Sequence, residues 1–148
     1  MGNQEDIPVI IGGYMIFFYW DSYYDTGYSL MDTQHKDYIT IVEDLQKSVY
    51  SQDQEFFEKQ SILFINHLSE HFTTENNLMI KYSYPGYFSH KAEHDRFFDK
   101  IKKNLTDLNK KSTNEINNFF EVTYRWFKNH LEINDRKLAK FLIENEKK

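Results

Sequence analysis

Apolar and polar residues follow one another along this chain with a helical period. From Met31 to about Ser51, inward positions recur at Met31, His35, Ile39, Val42 and Leu45, a single helical stripe whose start Asp32 or Thr33 is expected to cap. A second helix is predicted from about Asp53 to Tyr82, with Phe57, Leu63, Phe64, Leu68, His71, Glu75, Leu78 and Met79 facing in. Pro85 disfavours helix at Tyr84 and Gly86 supplies a turn, so "YSYPGY" ends it. The third helix, roughly Phe88 to Lys110, turns His90, His94, Phe97, Phe98, Ile101, Leu105 and Leu108 inward. "KKST" marks the next turn, with Ser112 or Thr113 capping a fourth helix to about Asn129. A short last helix is expected near Asp135 to Glu144. Four principal helices with short loops predict an all-α fold, an antiparallel up-down-up-down four-helix bundle with a short C-terminal helix.

The one long apolar run is "IPVIIGGYMIFFYW", residues 7–20. It is too short to span a bilayer, is broken by Gly12 and Gly13, and no basic stretch precedes it. It reads as an arm packing on the domain, with a signal peptide as the lesser alternative. The division is therefore an apolar N-terminal arm, residues 1–17, and a bundle, residues 18–148. With no output domain attached, the length leans to a stand-alone protein.

Composition narrows the chemistry. A chain of 148 residues is long enough for one domain with a proper core, and 13 Phe, 11 Tyr and 2 Trp make that core bulky. Net charge is −5 with lysines scattered among acids, so no basic face for nucleic acid is present. There is no cysteine, which removes disulfides, thiolate clusters and cysteine nucleophiles and fits a reducing cytoplasm. Any metal must be held by His, Asp or Glu.

The histidines lie on the apolar stripes. His35, His71, His90 and His94 face in from three helices, and His130 ends the fourth, with Trp126 and Phe127 one turn before it. A single such histidine is ordinarily a hydrogen-bonded core residue. Five facing one interior would cost several kcal/mol as unpaired polar groups, roughly 1–3 for each, whereas a shared metal centre satisfies them together. Glu75 lies one turn beyond His71, so the pair can reach two neighbouring ions, and His90 with His94 forms an i, i+4 pair suited to one. Asp135 follows His130 by five residues, about 140° off around a helix, so both face in only if the helix breaks between them. "EIND" supplies that break, with Asn134 or Asp135 capping the last helix. His67 faces the same way as His71 but a turn away; it reads as a polar residue at the bundle's rim, with a hydrogen-bond donor or proton relay behind the site as the alternative.

The pattern H-x35-H-x3-E-x14-H-x3-H-x35-H-x4-D, with "MDTQHK", "HFTTE", "YP" and "HKAEH" around it and "WDSYYDTGYS" before it, resembles the hemerythrin family, specifically its bacterial members, from about Trp20 to Leu142. The resemblance implies a non-haem di-iron centre. His90, His94 and His130 would hold one iron and His35 and His71 the other, with Glu75, Asp135 and an oxo or hydroxo group bridging them. The second iron then keeps an open position for dioxygen, and Trp126, Phe127, Leu131, Phe72 and Met79 are expected to wall it against water. The family often carries a second glutamate after the bridging one; here Asn76 stands there, expected to lie outside the ligand set.

The implied function is reversible oxygen binding, in storage, delivery or sensing, by a protein that is not an enzyme; no membrane or nucleic-acid partner is expected. A homo-oligomer or contact with a signalling partner through the arm stays open. A di-iron enzyme, an oxidase or a consumer of peroxide or nitric oxide, is the alternative. It is disfavoured because carboxylate-rich oxidases use Glu-x-x-His pairs, and no histidine here has a glutamate three positions before it.

Overall fold

The structure, a computed structural model, describes residues 9–11, 14–16 and 20–146. Strands β1 (Val9–Ile11) and β2 (Tyr14–Ile16) form an antiparallel pair with Ile10 opposite Met15. The remainder of the apolar arm, and with it the expectation that the arm packs on the domain, lies outside the described residues. A single 3-10 turn, Ser22–Tyr24, leads into the bundle.

Helix α1 runs Ser29–Tyr50. It starts earlier than the pattern implied, and neither Asp32 nor Thr33 caps it; Tyr28 occupies the cap position without a side-chain capping bond, its hydroxyl donating instead to Glu146 Oε1. Asp32 instead reaches back, accepting from Thr26 N and Oγ1 at 2.8 and 2.7 Å and from Gly27 N at 3.1 Å. Gly27 takes the left-handed conformation, φ 85°, which lets the chain fold over that carboxylate. Helix α2, Gln54–Lys81, is capped by Asp53, whose side chain accepts from Phe56 N at 3.1 Å. Its buried face is Phe57, Gln60, Phe64, Leu68, His71, Phe72, Glu75 and Met79. Leu63, expected to point inward, is 44% exposed: it precedes Phe64 by one residue, and one residue is about 100° of helix rotation, enough to leave the stripe.

Helix α3 spans Tyr87–Leu105, entered through Gly86. It stops at Leu105 rather than near Lys110, because Asp107 adopts the left-handed region at φ 55°; a 3-10 turn, Leu108–Lys110, follows and keeps Leu108 buried. Helix α4, Thr113–His130, opens with a capping box in which Ser112 Oγ accepts from Glu115 N at 3.2 Å and Glu115 Oε2 accepts from Ser112 N at 2.8 Å. The break expected after His130 is absent. Leu131–Asp135 forms one turn of π-helix, closed by Arg136 N–H donating to Leu131 C=O, and α5 continues without interruption over Arg136–Glu146. A π turn takes up the extra residue that an α turn would leave on the wrong face.

The helices pack as the expected four-helix bundle, α1 along α2 and α2 along α3, around one large aromatic and aliphatic cluster that includes Tyr38, Phe64, Leu68, Phe97, Phe120 and Phe127. A smaller cluster, Met31, Met79, Leu138, Ala139 and Leu142, sits where α5 folds back. The buried histidines and carboxylates lie between the two: His35 is one turn from Met31 on one side and from Ile39 on the other, and Glu75 is one turn from Met79. Among the described residues no helix is long and apolar enough to cross a membrane.

Candidate metal centre

Seven side chains expected in the interior are all buried: His35, His71, Glu75, His90, His94, His130 and Asp135, none more than 5% exposed. They come from α1, α2, α3, α4 and the π turn, and their ligand atoms form two overlapping groups. Glu75, His90, His94, His130 and Asp135 make one; His35, His71, Glu75 and Asp135 make the other. Within each group the atoms lie within 4.8 Å of one another.

The two carboxylates divide their oxygens between the groups. Glu75 Oε1 lies 2.9 Å from His90 Nε2 and 3.2 Å from His94 Nε2, while Glu75 Oε2 lies 2.9 Å from His71 Nε2. Asp135 Oδ1 lies 3.2 Å from His90 Nε2 and 3.1 Å from His130 Nε2, while Asp135 Oδ2 lies 2.9 Å from His35 Nε2. In the three-histidine group His130 Nε2 is also 3.0 Å from His94 Nε2 and 3.2 Å from His90 Nε2. Ligand atoms about 2.1 Å from a shared ion in octahedral array are about 3.0 Å apart along each edge, so these spacings suit donors around a common centre.

The outward ring nitrogens show why this set suits a cation. His71 Nδ1–H donates to Gln34 Oε1 at 2.7 Å, His94 Nδ1–H to Asn76 Oδ1 at 3.2 Å, and His130 Nδ1–H to Glu93 Oε2 at 2.9 Å. A neutral imidazole has one N–H, so in their neutral form these three would turn Nε2 lone pairs toward carboxylate oxygens and each other. His35 Nε2, Glu75 Oε2 and Asp135 Oδ1 are buried without a directed hydrogen bond among the described residues. Lone pairs converging in a dry interior repel, and an ion placed among them removes the repulsion and satisfies the buried polar atoms. The residues fit a metal centre of five donor atoms on one side and four on the other.

Without metal, protons must do that work. Burial pulls His130 down, but Asp135 and then Glu93 outweigh it and raise the imidazole to about 10. Burial likewise opposes charge on His90, yet Asp135 and Glu75 raise it to about 9. Burial and mutual repulsion push Glu75 and Asp135 up, and the surrounding imidazoles reverse this, holding both well below the usual carboxylate range. His94 is lowered, chiefly by burial. The metal-free cluster is thus a set of ion pairs whose protons an incoming cation displaces.

The aromatic residues expected to wall the site fall on different sides of it. Phe127 sets its edge against His35, centroids 5.7 Å apart, and stacks on Tyr38 at 4.4 Å. Trp126 lies flat on His130 at 4.5 Å, and Phe72 lies flat on His94 at 4.1 Å, so both buttress the three-histidine side. Leu131 belongs to the large core cluster and Met79 to the smaller one, on either side of the centre. Residues that the sequence reading passed over complete the surroundings of His35 and His71: Gln34, Tyr38, and Trp20, stacked 6.5 Å from His35. Tyr38 follows His35 by three residues, so the helical period was the available signal for it; Gln34, one residue before His35, lies off that stripe. His67 is half-buried and stays outside both ligand groups. It donates through Nε2 to the Gln34 carbonyl at 3.0 Å and lies parallel to His71 at 6.4 Å. Asn76 is likewise outside both groups but holds His94 from behind.

Residues 26–142 match the family model described as the hemerythrin HHE cation binding domain. The chain is 32% identical over 108 residues to a bacteriohemerythrin of Aquifex aeolicus, covering 71% of this chain and 82% of the relative. It is 24% identical over 124 residues to a bacteriohemerythrin of Clostridium acetobutylicum, covering 80% and 96%. A myohemerythrin of Sipunculus nudus matches at 30% identity over 83 residues, 56% of this chain and 64% of that protein. In fold, the chain is similar to a crystal structure of a leucine-to-phenylalanine mutant, with a TM-score of 0.75 over 86% of this chain and 98% of that one, at 24% identity.

Proposed function

Because this chain belongs to the hemerythrin family, we propose that it binds dioxygen reversibly at a non-haem di-iron centre. The observation that carries the reading is the division of Glu75 and Asp135, each with one oxygen toward the three-histidine group and the other toward His35 and His71. Carboxylates so placed hold two ions side by side, not one.

His90, His94 and His130 would hold one iron, and His35 and His71 the other. Bound there, a pair of ferrous ions would supply the electrons that reversible dioxygen binding needs. The protein side decides where dioxygen enters. The three-histidine group offers five donor atoms and the two-histidine group four, so the His35–His71 side has one protein donor fewer and is where dioxygen would bind. Gln34 fixes the plane of His71 through its Nδ1–H and keeps Nε2 directed inward. Phe127, backed by Tyr38, and Trp20 set aromatic rings against His35 and would exclude water and competing anions from that side. Five imidazoles to two carboxylates is a donor set of low negative charge, which favours the ferrous state and supports binding over oxidative turnover.

The test is anaerobic loading with ferrous iron, followed by addition and removal of oxygen while the visible spectrum is recorded. Two irons per chain and an oxygenated spectrum that reverses are expected. One iron per chain sinks the di-iron reading; repeated consumption of oxygen or peroxide with no reversible spectrum favours an enzyme.

A further inference from the structure

The outward hydrogen bonds behind the centre differ in charge. His71 and His94 donate to neutral amides, Gln34 at 2.7 Å and Asn76 at 3.2 Å. His130 donates to a carboxylate, Glu93 Oε2, at 2.9 Å. The same oxygen accepts from Asn134 Nδ2 on the π turn, so Glu93 is held in place from the element that carries Asp135. Trp126 lies against the His130 ring with an interplanar angle of 11°, which fixes the imidazole so that Nδ1–H points at α3. An anionic acceptor draws on the Nδ1 proton and sends electron density to Nε2, the nitrogen that faces the metal position. Neither Gln34 nor Asn76 can do this to the same degree.

We propose that Glu93 is a positioning residue that makes the centre electronically unequal, lowering the reduction potential of the iron beside His130. This rests on the di-iron reading above. Oxidation there takes one electron from ferrous iron to an external one-electron acceptor, and the Nδ1 proton stays on His130. Glu93 therefore acts through the imidazole, gaining and losing nothing itself. Its side chain is 36% exposed and borders a groove of about 220 Å³ that also contains Arg96 and Lys100, so solvent and these cations temper its charge. The effect is correspondingly set at about tenfold in the ferric-to-ferrous ratio, which for one electron is about 59 mV.

The experiment compares the wild type, Glu93→Gln, Glu93→Asp and the remote charge control Glu121→Gln, each loaded anaerobically with ferrous iron and titrated with ferricyanide under mediators. Iron content and Mössbauer spectra are recorded at each step. Glu93→Gln keeps an acceptor in place and removes only the charge; its first oxidation step is expected to rise about tenfold in equilibrium terms, or about 59 mV. Glu93→Asp and Glu121→Gln are expected to stay near the wild type. Coincident potentials for wild type and Glu93→Gln, both holding two irons, overturn the proposal and leave the di-iron reading standing. An equal shift in Glu121→Gln, or loss of iron from Glu93→Gln that Glu93→Asp does not restore, also overturns it. A wild type that never holds two irons removes both.

Discussion

His130 and Asp135 stand at either end of a five-residue stretch and still meet, Nε2 to Oδ1 at 3.1 Å, because the chain between them makes one turn of π-helix. In a regular α-helix the same spacing would turn them about 140° apart. The π turn thus lets one continuous helix offer a histidine to one ligand group and a carboxylate to both.

Removing the shared carboxylates should cost more than removing one imidazole. Glu75→Ala and Asp135→Ala are each expected to lower iron from two per chain to below one, since each residue faces both groups. His71→Leu should lower it to about one, and His67→Leu should leave two, because His67 lies outside both groups. Iron assay after anaerobic reconstitution decides; loss of an iron from His67→Leu would overturn this ligand set.

Acidity should act oppositely on the metal-free and loaded proteins. His130 and His90 are raised to about 10 and about 9 in the folded, metal-free chain, above the ordinary value of about 6.5. Their contribution to stability is complete below about 6.5 and is lost as pH rises through about 9 to 10. Metal displaces those protons, so loading should release protons and tighten with rising pH. The melting-temperature gap between loaded and metal-free protein should widen from pH 6.5 to 8.5. A gap independent of pH, with no proton release in a weakly buffered indicator assay, would contradict the ion-pair account.

Phe127→Ala separates packing from protection. Deleting a buried phenylalanine should cost about 3–5 kcal/mol in stability whatever its role. Phe127 also meets His35 edge-on, so its loss should admit water beside the two-histidine position and hasten irreversible oxidation of the oxygenated form. An oxidation rate equal to wild type, measured where the variant is still folded, would make Phe127 core alone.

Ser112→Ala is a control on the opposite end of α4. It removes the capping box with Glu115 and should cost about 1 kcal/mol in denaturant unfolding. Iron content should stay at two. A fall in iron would mean that α4 transmits disorder from its start to His130.

The bundle and the histidines and Glu75 of the candidate site were legible because apolar stripe and donor share one helical period; Asp135 stands off that period. Met31, His35 and Ile39 are read by the same spacing whether the side chain is apolar or an imidazole. What stayed hidden lies across helices: nothing along the chain pairs Gln34 with His71, Asn76 with His94, or Glu93 with His130. The five-residue step from His130 to Asp135 admits either a break or a π turn, and only backbone hydrogen bonding tells them apart. Asp32 looked like a cap because capping residues also serve turns, and here it binds the segment before the helix instead.

The donors reach from His35 to Asp135, and the chain contains no cysteine. Considered as a polymer, the folded protein has no covalent cross-link, and ions held at the centre would supply one that closes about two thirds of the chain into a ring. For a permanent bridge over about 100 residues, the entropy removed from the unfolded ensemble corresponds to about 4.7 kcal/mol. Here that constraint is reversible. With iron bound, a chelator would open the ring, and resistance to proteolysis and unfolding would become a function of iron supply.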